Sequence, residues 1–371
     1  MAIVNFNSIS GVSTISATSS ITVGDTAIRS HSISIGTTDT TGRNAGVGTA
    51  AGTLIFNSNT DSIEAYGPAG WSRVSSLGTI DATGGTTVES GGYKYHTFTG
   101  PGTFAVSNGD SSVALLVVGG GGGGATEVGG GGGSGGVYYN TSYPVSPGNY
   151  PVTVGGLTSR PSSNTSGPDG NPSAFGPITA GGGGGGGECG QTPNNGKNGL
   201  PGTVPGSGGG NTGCSSPGNA GDGQGSDGSF PGGDSPGSPD NGGTGGGGGG
   251  SAGSYSGSTT GGAGGNGRAC PAFPAPVISP TIPAPTRSAW SSAVGPTGLF
   301  GGGGGGGSYG GGPGPGGPGG GGPGYGPGGS NNAGTDGVRH TGGGGGGGSP
   351  GNGNNPATLG GDGIVIVRYS I

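Results

Sequence analysis

Ser112-Val113-Ala114-Leu115-Leu116-Val117-Val118 runs without a break into Gly119–Gly124. The first part is apolar at every position from Val113 on, so neither face suits water. Such a strand belongs at the centre of a sheet covered on both sides. The second part has no side chains at all. A matching strand closes the chain, where Gly363-Ile364-Val365-Ile366-Val367-Arg368-Tyr369 again offers two apolar faces. The two strands bracket residues 119–362, and the simplest arrangement puts both in one small sheet that the intervening chain leaves and rejoins. Tyr150-Pro151-Val152-Thr153-Val154 predicts a further strand of this scaffold. Tyr93–Phe98 and Thr103–Val106, joined by Gly100-Pro101-Gly102, predict a hairpin.

Composition sharpens the picture. Of 371 residues 112 are Gly and 30 are Pro. Only 17 of the glycines lie in residues 1–118, which leaves 95 beyond them. Gly costs about 1 kcal/mol per helical position and Pro about 3, which excludes long helices, coiled coils and a doubly wound α/β enzyme. The longest apolar run free of Gly, Val113–Val118, is far short of a membrane span. Ten basic residues against sixteen acidic give a net charge of −6, with no basic stripe for nucleic acid. The amino end, Met1-Ala2-Ile3-Val4-Asn5-Phe6, lacks a basic segment and a long apolar one, so no signal peptide is expected.

Uninterrupted glycine runs occupy 119–124, 129–133, 181–187, 245–250, 301–307 and 342–348; three have seven residues and two have six. Three options exist for them: flexible chain, a collagen-like helix that needs Gly at every third position, or a packed bundle of left-handed three-fold helices. The collagen register fails everywhere except near Gly311–Gly329. In a bundle, each run presents its N–H and C=O groups sideways to neighbours, and a seven-residue run is about 22 Å long. Ordering a residue costs about 1–2 kcal/mol, and a hydrogen bond returns about 0.5–1.5. Matched run lengths and two strands to clamp the ends favour the bundle.

The expected fold is therefore all-β, with a large glycine-rich insertion packed as a polyglycine II bundle. Residues 1–52, rich in Ser, Thr, Ile and Val, read as short strands of an amino-terminal attachment region. Residues 53–80 read as a short β module, a meander turning at Asn57–Asp61 and at Gly67-Pro68-Ala69-Gly70. Residues 81–118 with 359–371 form the scaffold, and 119–358 the bundle with its loops. A module as small as 53–74 needs a partner surface, so Phe56 and Trp71 are candidate contacts in an oligomer, with a homotrimer expected.

The segments between runs, 188–244, 251–300 and 308–341, read as loops. They carry the aromatics Phe230, Tyr255, Phe273, Trp290, Tyr309 and Tyr325. These residues are candidate receptor-binding groups, with packing against the glycine surface as the alternative. Cys189, Cys214 and Cys270 have no CxxC spacing and read as loop thiols or as a Cys189–Cys214 disulfide.

Chemical motifs are weak. G-x-G-x-x-G is expected many times by chance in so much glycine, and Gly196-Lys197 is followed by Asn198 rather than Ser or Thr. His31, His96 and His340 lack metal-ligand spacing, and the alternation around His96 places it on an exposed face. Gly221–Gly228 resembles one unit of a calcium-binding Gly/Asp repeat, where stacking requires several. No enzyme activity, cofactor or metal is expected.

Leu115–Gly124, then Pro147-Gly148-Asn149-Tyr150-Pro151-Val152-Thr153-Val154-Gly155-Gly156, then Gly361–Tyr369 resemble, in order and placement, the glycine-rich domain of bacteriophage tail-fibre proteins. Gly52–Asn57 through Trp71-Ser72-Arg73-Val74 is similar to a β module repeated in phage fibre and virion proteins. The resemblance implies a virion fibre made in the host cytoplasm. Such a fibre would join other virion proteins through its amino-terminal region. Rods with variable loops between them also resemble the distal adhesins of T-even-like phages, which implies loops that bind a receptor on the host cell surface; the alternatives are a capsid-decorating or neck fibre without a receptor role, and a self-assembling extracellular filament joined by strand exchange.

Overall fold

A computed structural model of the chain describes residues 36–46, 50–68, 70–74, 80–109, 111–156, 159–160, 165–189, 195–212, 230–233, 242–255, 259–308, 310–326, 334–348 and 357–371. The chain divides into two units, Met1–Val74 and Ser75–Ile371.

In the first unit the expected meander forms from β2 (Leu54–Asn57), β3 (Ser62–Gly67) and β4 (Gly70–Arg73), with β1 (Thr37–Thr38) added in parallel to β2. The strands expected in residues 1–35 lie outside the described residues. Residues 40–46 depart from the expected strands: they form a short helix, α1 (Thr40–Gly46), started by Asp39, whose carboxylate accepts from Gly42 N at 2.6 Å. One face of the sheet holds a polar knot. Glu64, 4% exposed, accepts from Arg43 Nη1 at 2.7 Å and from Asn57 Nδ2 at 3.0 Å.

Two five-stranded sheets build the second unit. One has the order β10 (Val137–Val145), β9 (Ser111–Val118), β16 (Ile364–Ser370), β7 (Tyr93–Phe98), β6 (Thr86–Ser90). The other runs β13 (Ile178–Ala180), β12 (Ser173–Phe175), β11 (Gly148–Thr153), β8 (Gly102–Asn108), β5 (Asp81–Thr83). The two bracketing strands are direct antiparallel neighbours, with Val118 opposite Ile364 and Leu116 opposite Ile366. Their period-two alternation divides two cores. Leu115, Val117, Val365 and Val367 face the second sheet and meet Phe104 and Phe175. Leu116, Val118, Ile364 and Ile366 face the other way and meet Phe273, Trp290 and Phe300.

That second cover differs from the loop expected in residues 251–300. It is a helical cap: α2 (Ala275–Ile278), a 3-10 turn at Ser279–Thr281 and α3 (Ala284–Val294), followed by β15 (Leu299–Phe300), which pairs with β14 (Arg268–Ala269). Its prolines do not break the helices, because Pro274 and Pro283 are the N-caps and Pro276 and Pro285 follow in the first turn, where no N–H partner is needed. Phe273 and Trp290, expected on exposed loops, are 0% exposed in this core. Trp290 Nε1 donates to the carbonyl of His340 at 2.9 Å. His96 also departs from its expected exposed face. It is fully buried, bonded through Nδ1 to Gly84 O at 2.7 Å and through Nε2 to Tyr369 Oη at 3.1 Å, and stacked on the Tyr369 ring.

The runs 119–124, 181–187 and 301–307 leave the ends of β9, β13 and β15, and nearly all glycines of the six runs are buried. Their N–H groups turn in succession to three different neighbours. Gly302 and Gly305 donate to Gly319 and Gly322, Gly303 and Gly306 to Gly265 and Gly262, and Gly304 and Gly307 to Gly132 and Gly129. The same rotation recurs elsewhere: Gly130 and Gly133 donate to Gly187 and Gly184, Gly131 and Ser134 to Thr244 and Gly247, and Gly132 and Gly135 to Gly345 and Gly342. The contacts exclude side chains. A Cβ on Gly304 would meet the carbonyl oxygen of Gly345 under 3.0 Å. Within the six long runs positive φ occurs at the starts Gly301 (73°) and Gly342 (68°), and none of Gly302–Gly307 has it.

Segments expected to be loops also join the bundle, at its edge. In 261–267 Ala263 is half-buried and Asn266 exposed, while Gly262 and Gly265 are buried. In 314–318 Pro315 and Pro318 are exposed and Gly314 and Gly317 buried. An edge rod thus tolerates a side chain every third residue, on the side facing water.

Candidate functional site

The hydrogen-bond register fixes two ends for the bundle. At the strand end Gly119 N donates to Gly136 O, Gly136 N to Gly181 O and Gly135 N to Gly342 O. At the far end Gly130 N donates to Gly187 O, Gly187 N to Gly210 O, Gly307 N to Gly129 O and Gly348 N to Ala125 O. Gly187, Asn211, Ser308, Tyr325 and Gly348 all end their rods at this second level, which forms one tip.

Of the six aromatics expected to bind, the structure brings Tyr255 and Tyr325 to this end. Tyr325 N donates to Gly347 O, its carbonyl accepts from Ser308 N, and its side chain is half-buried, with the hydroxyl unpartnered. Tyr255, also half-buried, follows Ser254, whose carbonyl accepts from Gly245 N. Phe230 lies lower on the rods, its carbonyl accepting from Gly208 N. Tyr309 lies outside the described residues. Phe273 and Trp290 are removed from the candidates by their burial. Phe56 and Trp71 are both half-buried but occupy opposite faces of the first unit's sheet. Phe56 stands opposite Ile63, while Trp71 stands opposite Tyr66 and packs edge-on against it at 5.3 Å. The exposed Leu54 and Ile63 share the face of Phe56.

The sequence reading missed the polar side chains at the tip. Glu188 is fully buried beside Thr126, whose Oγ1 donates to Glu188 Oε1 at 2.7 Å. Burial above all, helped by the charge of Glu127 and opposed by the Thr126 hydrogen bonds, pushes its carboxyl up to about 7. Asn211 and Thr212 are buried at the end of the adjacent rod. The signal was present: Glu188 and Asn211 are the first side chains larger than Ser to end the stretches 181–187 and 206–210. Cys189 is disulfide-bonded and Cys270 is a free, buried thiol; Cys214 lies outside the described residues.

The helical cap has a cleft of about 440 Å³ between α2 and α3, lined by Pro276, Ser279, Pro280, Arg287, Ser291 and Pro296 among others. Arg287 is held over its own backbone, donating to Ile282 O at 2.9 Å and Pro280 O at 3.2 Å. Among the described residues no group of three or more His, Cys, Asp or Glu converges, and no helix is long and apolar enough to cross a membrane.

An all-β scaffold whose strands continue into buried glycine runs defines a glycine-rich domain. The chain belongs to that family: the glycine-rich domain model matches residues 97–370. No curated protein matches the chain.

Proposed function

We propose that this protein is a non-enzymatic structural component of a bacteriophage particle, a tail fibre or fibre-tip adhesin that contacts the host cell surface through the tip of its glycine bundle. The observation that carries the reading is the common level at which five rods end, with Tyr255 and Tyr325 beside them, away from the sheets. A rigid bundle gives those rod ends a fixed spacing without a large side-chain core, which suits a support for surface loops. The rotation of hydrogen bonds through three neighbours supports rods of the polyglycine II type, since a three-fold helix returns to the same neighbour every third residue. The apolar face with Leu54, Phe56 and Ile63 supports self-association of the amino-terminal module, as in a homotrimeric fibre.

The test is binding of purified, fluorescently tagged protein to cells of the host from which the particle is recovered. The triple substitution Tyr255→Ala, Tyr309→Ala and Tyr325→Ala reduces cell binding at least tenfold while the melting temperature stays within a few degrees. Undiminished binding removes the tip from the reading. Absence of the protein from purified particles, probed by immunoblot, removes the virion assignment.

A further inference from the structure

The tip of the bundle buries polar atoms that have nothing to bond. Rods 181–187 and 204–210 run parallel, with Gly181 N donating to Val204 O, Gly184 N to Ser207 O and Gly187 N to Gly210 O, each at 2.9 Å. The next residues, Glu188 and Asn211, therefore leave neighbouring rods at one level, and both are 0% exposed. Glu188 uses only Oε1; its Oε2 is unpartnered, as are both Oδ1 and Nδ2 of Asn211. The backbone of Asn211 is meanwhile fixed, its N donating to Thr244 Oγ1 at 2.6 Å and its carbonyl accepting from Thr244 N at 2.9 Å.

The turn that faces them is strained. Glu127 (φ 23°) and Val128 (φ 51°) both lie at positive φ, a conformation that L residues rarely hold without support from their surroundings. The turn is tied to both rods, since Thr126 bonds to Glu188 and Thr212 Oγ1 donates to Val128 O at 3.2 Å. Among the described residues none of the ion pairs includes Glu188. A buried carboxylate without a positive partner requires a proton or a cation.

We propose that this tip binds a hard divalent cation of the calcium class, held by the Glu188 carboxylate, the Asn211 amide oxygen and the Thr126 and Glu127 carbonyls of the facing turn. The half-buried Glu127 carboxylate supplies the second negative charge. Every donor is an oxygen, which selects calcium or magnesium over softer metals. With two carboxylates at most, the affinity falls in the range of extracellular calcium modules, about 10⁻⁴–10⁻³ M. The ion ties two rods and a turn together at the end that no β-sheet clamps. This site stands apart from the Gly221–Gly228 segment, which lies outside the described residues, and it does not depend on the receptor-binding reading.

The experiment compares thermal unfolding of the full chain in EDTA and in calcium chloride at about ten times the expected dissociation constant, for wild type and for Glu188→Gln. Wild type gains about 2–4 °C in calcium, and Glu188→Gln, isosteric but neutral, loses that gain. Calorimetric titration of wild type with calcium chloride shows saturable binding and serves if the variant does not fold. No calcium response and no saturable binding in wild type overturn the proposal, leaving a protonated acid or a bridging water at the tip. An equal calcium gain in folded Glu188→Gln overturns it as well.

Discussion

Between the two sheets Leu115, Val117, Phe104 and Phe175 fill space with side chains, whereas a few residues beyond β9 Gly119–Gly124, with Gly342–Gly348 hydrogen-bonded beside them, fill it with backbone. Both regions exclude water, but their tolerance to change differs. A hydrophobic core loses contacts in proportion to the volume removed and can partly relax. A glycine bundle leaves nothing to remove and no room to add. Its stability rests on many backbone hydrogen bonds, each worth about 0.5–1.5 kcal/mol, and one misplaced atom breaks several.

The strongest way to break this contrast is Gly304→Val. Gly304 lies in a central run, and its new side chain would collide with the backbone of Gly345, so the expected loss exceeds about 5 kcal/mol and soluble folded protein is not recovered. Wild-type thermal stability in that variant would end the close-packed description. Trp290→Ala tests the other region. It empties a buried site and leaves the His340 carbonyl without its donor, for an expected cost of about 3–5 kcal/mol by denaturant titration, with folding retained.

Hydrogen exchange sharpens the comparison. Amides of 301–307 and 342–348 should be protected for minutes or longer, as those of β9 and β16 should be, because each donates to a neighbouring segment or side chain. Exchange at the rate of unstructured chain would contradict the bundle.

A smaller effect depends on pH. Glu188 in the folded protein binds its proton up to about pH 7, against an ordinary value of 4.5. Between those values the folded state holds a proton that the unfolded chain has released, so stability declines as pH rises from 4.5 through 7. In chelator, melting temperatures at pH 5 and pH 8 should differ less for Glu188→Gln than for wild type. The smallest effect belongs to Asn266→Ala, an exposed third-position residue on an edge rod, expected within about 0.5 kcal/mol of wild type.

Much of the scaffold was legible because two-sided apolar strands are rare and unambiguous. Val113–Val118 and Ile364–Tyr369 had only one reasonable place, side by side at the centre of a sheet. The matched lengths of the runs pointed to packed segments, and their backbone groups do bond to neighbouring segments. The helical cap was not, since its prolines read as breakers until their positions at the helix starts were known; the signal was that residues 268–294 contain no glycine. Phe273 and Trp290 were misplaced with it. His96 misled because alternation in a strand does not reveal whether the second face is covered, and here Phe104 and Tyr369 cover it. The tip was legible only as an ending of glycine runs. Nothing in the spacing of Glu188 and Asn211 shows that parallel rods set them at one level, because that pairing joins residues distant in sequence.

The burial of Trp290 has an optical consequence. The protein has two tryptophans, and they fall one to each unit: Trp71 half-buried in the first, Trp290 enclosed in the second. Emission near the blue end of the indole range therefore reports the glycine-rich unit, and redder, quencher-accessible emission reports the amino-terminal one. A single unlabelled sample can then reveal whether the two units melt together or in turn.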